Sequence, residues 1–549
     1  MGNSSEFTGS DEKHEGAGVG AGGWGVEVSA DQVDTAAALV SGKDVTVSPE
    51  ESVRIRNKID RHILPFMCVL YWMQYMDKNT LASSSILGIK QTAHLTTNEY
   101  NWLGTVFYLS YLVFQFPQNL ALQRFPVAKW LSFNIFVWAV SLCTHAACKN
   151  FAGLMVVRIM LGMSEGCIIT GFLIVTSMFY THKEQTVRVG YWYLMNGFAQ
   201  IASGFISFGT LHITTDKFQP WQWLMIITGG LTLITAVCFW FFFPDSPTTA
   251  WFLTPEERIL AVMRIKENRT GVENKRFKKE QMFEALRDPK TWLFALFAAL
   301  VNVPNSVRRV SFLSPLAPIP ELTCGVSNQK PLIINSFGFT VLQTTLLTIV
   351  DGAITIITVY AGVHAVAWSG QRAYTAFVWK VPEILGAILV NALPWSNRVG
   401  LLCALWVGSV GLTGFVIALA WISAVTAGHT KRVTTNAIVL CAYCIGNAVG
   451  PFMWLDKYKP RNRVPWIIIG VCYLACMFLL LIIRYVLAAE NKRRDREAAE
   501  RVVGGAQDDQ YEHFYVERVG QAGVVEKVHV DKEFLDLTDW QNRDFRYVL

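Results

Sequence analysis

The chain has 549 residues, 52% of them hydrophobic and only 16% charged, with a mean hydropathy of +0.31. Soluble domains carry about 25% charged residues, so the deficit excludes an ordinary water-soluble protein and points to a bilayer. The 34 Phe and 19 Trp suit lipid contact, and a net charge of +6 matters chiefly through where the cations lie.

Residues 1–58 are polar, rich in Gly, Ser, Asp and Glu up to Ser48-Pro-Glu-Glu51, and read as a disordered tail with no cleavable signal peptide. Arg54, Arg56, Lys58 and Arg61 lead into six apolar runs at 59–83, 100–122, 127–147, 151–180, 187–211 and 221–243. Each is close to the roughly 20 residues that a spanning helix needs. A break at Phe243-Pro-Asp-Ser-Pro247 opens a basic linker, 244–290, in which Pro255-Glu-Glu-Arg258 reads as the start of a surface helix. Six further runs follow at 291–305, 342–367, 374–393, 400–423, 434–455 and 464–487, and then a polar tail, 488–549. The fold class is therefore an all-α polytopic membrane protein, with twelve transmembrane helices in two halves, 59–243 and 291–487. Lys and Arg concentrate in the linker and around the termini, which places both termini in the cytoplasm. The basic stretch Lys457, Lys459, Arg461, Arg463 falls on the opposite side and runs against that bias.

The seventh run is short and leads into 307–326, where Arg308, Arg309 and Pro315, Pro318 and Pro320 exclude a spanning helix. Two readings stay open for this segment. It is an atypical extracellular loop, or a translated intron whose removal joins Ser306 to Ser327. The spacing of Cys441 and Cys444 fits redox or metal chemistry, but no His lies near them in an apolar helix, so packing explains them and no metal is expected.

Charges inside the spans carry the functional argument. Arg158 and Glu165 are seven residues apart, about two turns, and so share one helix face about 10 Å apart. A charge at the bilayer centre costs at least about 2.5–3.5 kcal/mol. Either that face looks into a polar interior, or the charges lock helices together. Counting residues from each membrane face puts Asp77 of the first span level with Arg158, close enough to pair. Glu165 falls near the midplane with no cation on its own helix, a candidate proton carrier. Lys78 points about 100° away from Asp77, into a cavity as an anion site or outward to the interface. Tyr75, Gln74, Asn196, Gln200, Asn302 and Asn447 are further candidates to touch substrate. Asn196 and Gln200 share a face; Gln115, Asn119 and Asn305 are neutral amides of the kind that glue helices together, and Asp351 is a further polar residue within a span. Gly162 and Gly446 read as packing positions. Trp102, Tyr108 and Tyr111 belong to an interface or a cavity. There is no phosphate-binding Gly loop followed by Lys-Ser/Thr, no His/Glu metal spacing and no nucleophile elbow. Hence no enzyme activity, cofactor or nucleic-acid partner is expected, and transport has to draw on an ion gradient or the substrate's own.

Several motifs together resemble the fungal allantoate permease-like transporters, in the anion:cation symporter branch of the major facilitator superfamily. They are Tyr75-x-Asp77-Lys78-Asn79, Pro117-x-Asn119 with Gln123-Arg124, Arg158-x-x-x-Gly162-x-x-Glu165-Gly166 and Phe243-Pro-Asp-Ser-Pro247. Ala427-Gly-His-Thr-Lys431-Arg432, Gly446-Asn447-x-x-Gly450-Pro451 and Phe534-Leu-Asp-Leu-Thr-Asp539 complete the set. The resemblance implies a monomeric plasma-membrane symporter. It would import a small organic anion with protons: an allantoate- or ureidosuccinate-like ureide, a carboxylate vitamin such as nicotinate or pantothenate, or a small peptide. It also implies that Asp77, Arg158 and Glu165 couple protons and that Lys78 meets the substrate carboxylate, where the branch commonly has Arg. The loop Gln123-Arg-Phe-Pro-Val-Ala-Lys129 and the segment after Pro451 depart from the pattern. Export of a secondary metabolite and nutrient sensing without transport are the alternative readings.

Overall fold

The computed structural model describes residues 26–27, 47–211, 218–266, 268, 276–305, 341–394, 396–449, 463–503, 514–519, 525–530 and 535–549. The segment 307–326, the basic stretch 457–461, the Gly450-Pro451 pair and most of the N-terminal tail lie outside these residues.

Every apolar run is mainly helical over its described part. The first set comprises α1 (Pro49–His62), α2 (Leu64–Ile86), α3 (Thr97–Arg124), α4 (Val127–His145), α5 (Phe151–Glu165), α6 (Ile168–Phe179), α7 (His182–Tyr193), α8 (Met195–Leu211) and α9 (Pro220–Phe242). The linker holds α10 (Pro255–Lys266) and α11 (Lys279–Arg287). The second set is α12 (Pro289–Asn302), α13 (Val341–Ser369), α14 (Arg372–Ala392), α15 (Arg398–Gly408), α16 (Leu412–Ala424), α17 (His429–Val449) and α18 (Arg463–Val503). Among the described residues, seven helical stretches are long and apolar enough to cross a membrane: 127–145, 151–179, 220–242, 349–369, 372–392, 398–424 and 463–500. The remaining runs fall short for a physical reason. α8 and α12 are only 17 and 14 residues long. α2, α3 and α17 carry buried polar groups, among them Gln74, Asp77, Gln115, Asn119, Asn436 and Asn447, which face the protein and not lipid. The lipid-type surface lies elsewhere: Phe133, Phe136, Trp240, Phe241, Trp368 and Tyr485 are all exposed.

Backbones meet where a side chain would not fit. A Cβ on Gly162 would lie 2.3 Å from the Phe107 carbonyl oxygen, and one on Gly446 would lie 2.3 Å from that of Ala299. These glycines therefore join α5 to α3 and α17 to α12, as their packing role requires. Gly197 of α8 and Gly352 of α13 meet reciprocally, each Cβ position falling within 2.7 Å of the other's carbonyl oxygen.

The described residues toward the two ends of the chain form more regular structure than their polarity suggests. Residues 49–58, expected in a disordered tail, form most of α1, started by a reciprocal Ser48–Glu51 capping box and anchored by buried Ile55 and Ile59. Arg54 and Lys58 of α1 reach Glu257 of α10 at 3.0 and 2.5 Å. Burial works against the Glu257 charge, but Lys58, the Thr254 N–H and Arg54 outweigh it and hold the carboxyl at about 2. Strands β1 (Val26–Glu27), β2 (Phe514–Val519) and β3 (Val525–Val530) form a small sheet, β1 parallel and β3 antiparallel to β2. Residues 535–549 then fold back against the linker, with Thr538, Asp539, Phe545 and Tyr547 buried.

Candidate functional site

Three apolar runs are broken in their middles, each beside buried polar or aromatic side chains. The fourth breaks at Gly166-Cys167, one residue beyond Glu165. The fifth breaks at Leu194, between Tyr193 and Asn196, and the tenth breaks at a 3-10 turn, Ser409–Gly411, just before Phe415. Helix interruptions at mid-depth are where transporters expose backbone and polar side chains to a cargo.

Asp77 is fully buried and held by two donors. Trp138 Nε1 of α4 reaches Oδ2 at 2.8 Å, and Thr80 Oγ1, one turn along α2, reaches Oδ1 at 3.0 Å. Arg158 lies within electrostatic reach of Asp77, so the two come to one neighbourhood as the depth count requires. Trp138 is the partner that the sequence did not reveal. A buried indole N–H seeks an acceptor, but with 19 Trp in the chain nothing in the sequence selects this one.

Glu165 requires a correction. The sequence shows no evident cation for it, and none on its own helix, yet Lys78 Nζ of α2 lies 4.0 Å from its Oε2. The reason is that α2 and α5 cross here, a contact that counting along one helix does not show. Lys78 accordingly turns toward the interior and does not run out to the interface. Its side chain keeps 16% exposure while that of Glu165 has none. At 4.0 Å the contact is Coulombic and too long for a hydrogen bond, so the ammonium keeps its N–H groups for another acceptor. Asp77 and Gln74 also adjoin Glu165. Among the described residues, no hydrogen bond of good geometry reaches either oxygen of Glu165, either amide atom of Gln74 or the Asn196 Oδ1, although all are buried. Burying such groups unmade costs about 1–3 kcal/mol each, which a fold tolerates where function uses them.

The other candidates divide. Gln200 Nε2 reaches the Tyr75 hydroxyl at 3.5 Å, joining α8 to α2, and Tyr75 lies close to Lys78. Asn302 and Asn447 donate to carbonyls of their own helices, those of Ala298 and Tyr443, at 2.7 and 2.9 Å. The Gly446 contact seats Asn302 at the α12–α17 joint. Gln115 bonds Thr170 at 3.2 Å, a glue role, and Asp351 bonds the Ser409 hydroxyl beside the α15 break. Trp102 is exposed, whereas Tyr108 neighbours Lys78 and Tyr111 is fully buried, so the three aromatics separate into one at the surface and two at the site.

The sequence also missed an aromatic bridge between the two sets of helices. Tyr193 meets Phe415 edge-on at 6.3 Å between ring centroids. Phe415 stacks on Tyr443 at 6.0 Å, and Tyr443 approaches Tyr111 at 6.5 Å. Only tertiary structure brings α3, α7, α16 and α17 to one point. The region thus combines two carboxylates, two cations and tyrosine rings from both sets, and it can hold a small charged molecule against aromatic walls. Among the described residues, no His/Cys/Asp/Glu group has the arrangement of a metal site.

Beyond the site, at the linker end of the bundle, hydrogen bonds latch the two sets together. Arg372 of α14 reaches the His182 carbonyl at 2.7 Å and Thr186 at 3.2 Å. Arg432 of α17 reaches Ser177 at 3.0 Å, and Gln123 of α3 reaches Thr430 at 2.8 Å.

Comparison with known proteins agrees with this architecture. Residues 67–455 match the model of the Major Facilitator Superfamily. The thiamine pathway transporter of Saccharomyces cerevisiae is 33% identical over 93% of this chain and 89% of its own length. The allantoate permease of the same yeast is 30% identical over 94% and 91%. Among solved structures, a proton:xylose symporter of the same superfamily superposes with a TM-score of 0.58 at 13% identity, covering 77% of this chain and 96% of that one.

Proposed function

The chain belongs to the Major Facilitator Superfamily as a multi-pass membrane transporter of the allantoate permease-like kind, and from that premise we propose that it is a proton-coupled importer of a small organic anion. The observation that carries this reading is the Lys78–Glu165 approach inside a cluster whose charges balance, Asp77 and Glu165 against Arg158 and Lys78. A proton on Glu165 removes one negative charge and leaves the cluster with an excess positive one. Lys78, no longer held by Glu165, then meets a substrate carboxylate, and Tyr75, Gln74 and the Tyr108 and Tyr193 rings line the same place. Losing the proton restores the balance and expels the anion. Asp77 and Arg158 form the second carboxylate–cation set of the cycle, with Trp138 orienting Asp77.

With both termini cytoplasmic, the latch at Arg372, Arg432 and Gln123 closes the inner side, and loading takes place from outside. Alternating access then moves the helices of 59–243 against those of 291–487 around the midplane site, in a monomer at the plasma membrane. The relatives' printed cargoes differ, allantoate for one and a thiamine-pathway compound for another, at similar identity. The substrate class for this chain is therefore drawn from the site: a carboxylate for Lys78 and a polar or planar body for the tyrosines. Ureides of the allantoate or ureidosuccinate type, carboxylate vitamins such as nicotinate and pantothenate, and small peptides all fit it.

The test is uptake of a labelled panel of these compounds by proteoliposomes under an imposed proton gradient. Glu165→Gln is expected to abolish gradient-driven accumulation while preserving exchange of internal for external substrate. Accumulation equal to that of the unmodified protein would overturn the coupling role.

A further inference from the structure

Outside the transport site, a dense buried polar network among the described residues surrounds 535–549. Asp536 pairs with Lys278 at 2.8 Å and accepts the His429 N–H at 2.7 Å. Asp539 is fully buried between Lys290 and Lys431, the latter at 2.9 Å, and also accepts the Tyr547 hydroxyl at 2.6 Å. Lys431 in turn meets Glu284 and Asp288 at 2.7 and 2.9 Å. Thr538 donates to Glu284 at 2.9 Å. The left-handed turn at Gly428, φ +86°, lets the backbone pass so close that a Cβ there would lie 3.0 Å from Thr538 Cγ2.

The protein also holds the backbone of this segment, at Asp536 and again from Phe545 onward. Gln281 donates to the carbonyl of Asp536, Arg494 to that of Phe545, Asn491 to that of Tyr547 and Trp421 to that of Val548, all at 2.7–2.9 Å. The Arg372 N–H takes the carbonyl of Leu549 at 2.8 Å. Donors set on the backbone oxygens of one segment, with lysines set for two of its aspartates, are how a protein binds a peptide. The donors come from α11, α14, α16 and α18, and the lysines from the linker, α12 and α17.

The same residues are one step from the latch. Arg372, which holds Leu549 through its backbone, holds His182 and Thr186 through its guanidinium. His429, whose N–H is fixed by Asp536, directly precedes Thr430, the partner of Gln123. We infer that the linker end of the second set of helices is a peptide-binding site, that its ligand is an acidic C-terminal segment, here the chain's own residues 535–549, and that occupation of this site holds the latch closed.

The test uses the full-length protein with a site-specific protease sequence inserted after Gly505, cut only after folding and purification, with spin labels at Lys183 and Ser369 on either side of the latch. After cutting, the released segment stays with the body through gel filtration. In Asp539→Asn and, independently, Tyr547→Phe chains it is lost at least ten times faster, while Arg546→Gln, which removes an exposed pair with Asp495 and contacts to carbonyls within the segment itself, retains it. Loss of the segment broadens the distance between the labels, and added synthetic 535–549 peptide narrows it again. Equal retention in all variants, or equal loss in all, overturns the peptide site. Retention that follows the variants while the label distance stays unchanged overturns its hold on the latch.

Discussion

At the scale of single residues, the position of Lys78 has the most direct consequences. Its ammonium stands 4.0 Å from Glu165, near enough for attraction and too far for a hydrogen bond, so it can serve two anions in turn. Lys78→Met is expected to raise KM for an anionic substrate at least tenfold. Lys78→Arg should restore part of the affinity but alter selectivity, because a planar fork replaces a point charge. Steady-state uptake across the substrate panel checks both. Trp138 acts on Asp77 and not on the substrate. Trp138→Phe, which keeps an aromatic side chain but deletes the indole N–H and its 2.8 Å bond along with some volume, is expected to move the pH dependence of uptake by about one unit with KM nearly unchanged. A change in KM with the pH profile fixed would show that Trp138 contacts the substrate instead.

At the scale of elements, helix interruptions and backbone contacts set the geometry. Glu165, Tyr193, Asn196 and Phe415 all lie within a few residues of a break, which lets straight apolar runs turn polar groups inward at mid-depth. The intact crossings depend on missing side chains. Gly446→Leu drives a branched chain into the Ala299 carbonyl and is expected to destabilise the α12–α17 joint by about 1–3 kcal/mol. The mid-helix glycine Gly230, with open space around its Cβ position, should tolerate Gly→Ala, and the two variants' thermal midpoints in detergent make the comparison.

At the scale of the whole molecule, the linker end is a charged, buried layer that ties the two sets of helices to the C-terminal segment. His182 and His429 stand in it, both at about 4 against an ordinary 6.5. Burial is the main cause at each. Arg372 reinforces it at His182, while at His429 Asp536 opposes it without prevailing. Between pH 6.5 and 4 the unfolded chain therefore binds protons that the folded chain refuses, and stability falls as pH drops through that window. Melting curves from pH 7 to 4.5 should show this decline, and a His182→Gln/His429→Gln double variant should flatten it. Asp539→Asn removes one member of a buried charge network. Such losses cost about 3–5 kcal/mol, expected here as release of residues 535–549 before general unfolding. Proteolysis near the C-terminus measures that release.

Much of this protein was legible in its sequence, because hydrophobic period and charge position are local properties. Twelve apolar runs, the central linker, the start of α10 and the singling out of Asp77, Arg158, Glu165 and Lys78 followed from composition, run length and the cost of charge in lipid. What the sequence could not determine was which groups face each other. A count along one helix left Glu165 without a cation, since the answer lay on α2. It could not choose Trp138 among many indoles, nor gather Tyr111, Tyr193, Phe415 and Tyr443 from four helices. It showed 488–549 only as a polar tail, because polarity marks a segment as water-compatible whether or not lysines elsewhere bury its aspartates. Local chemistry determined that the chain enters a membrane with charges inside it. Only the tertiary structure decided that Lys78 answers Glu165, and that Lys290 and Lys431 close over Asp539.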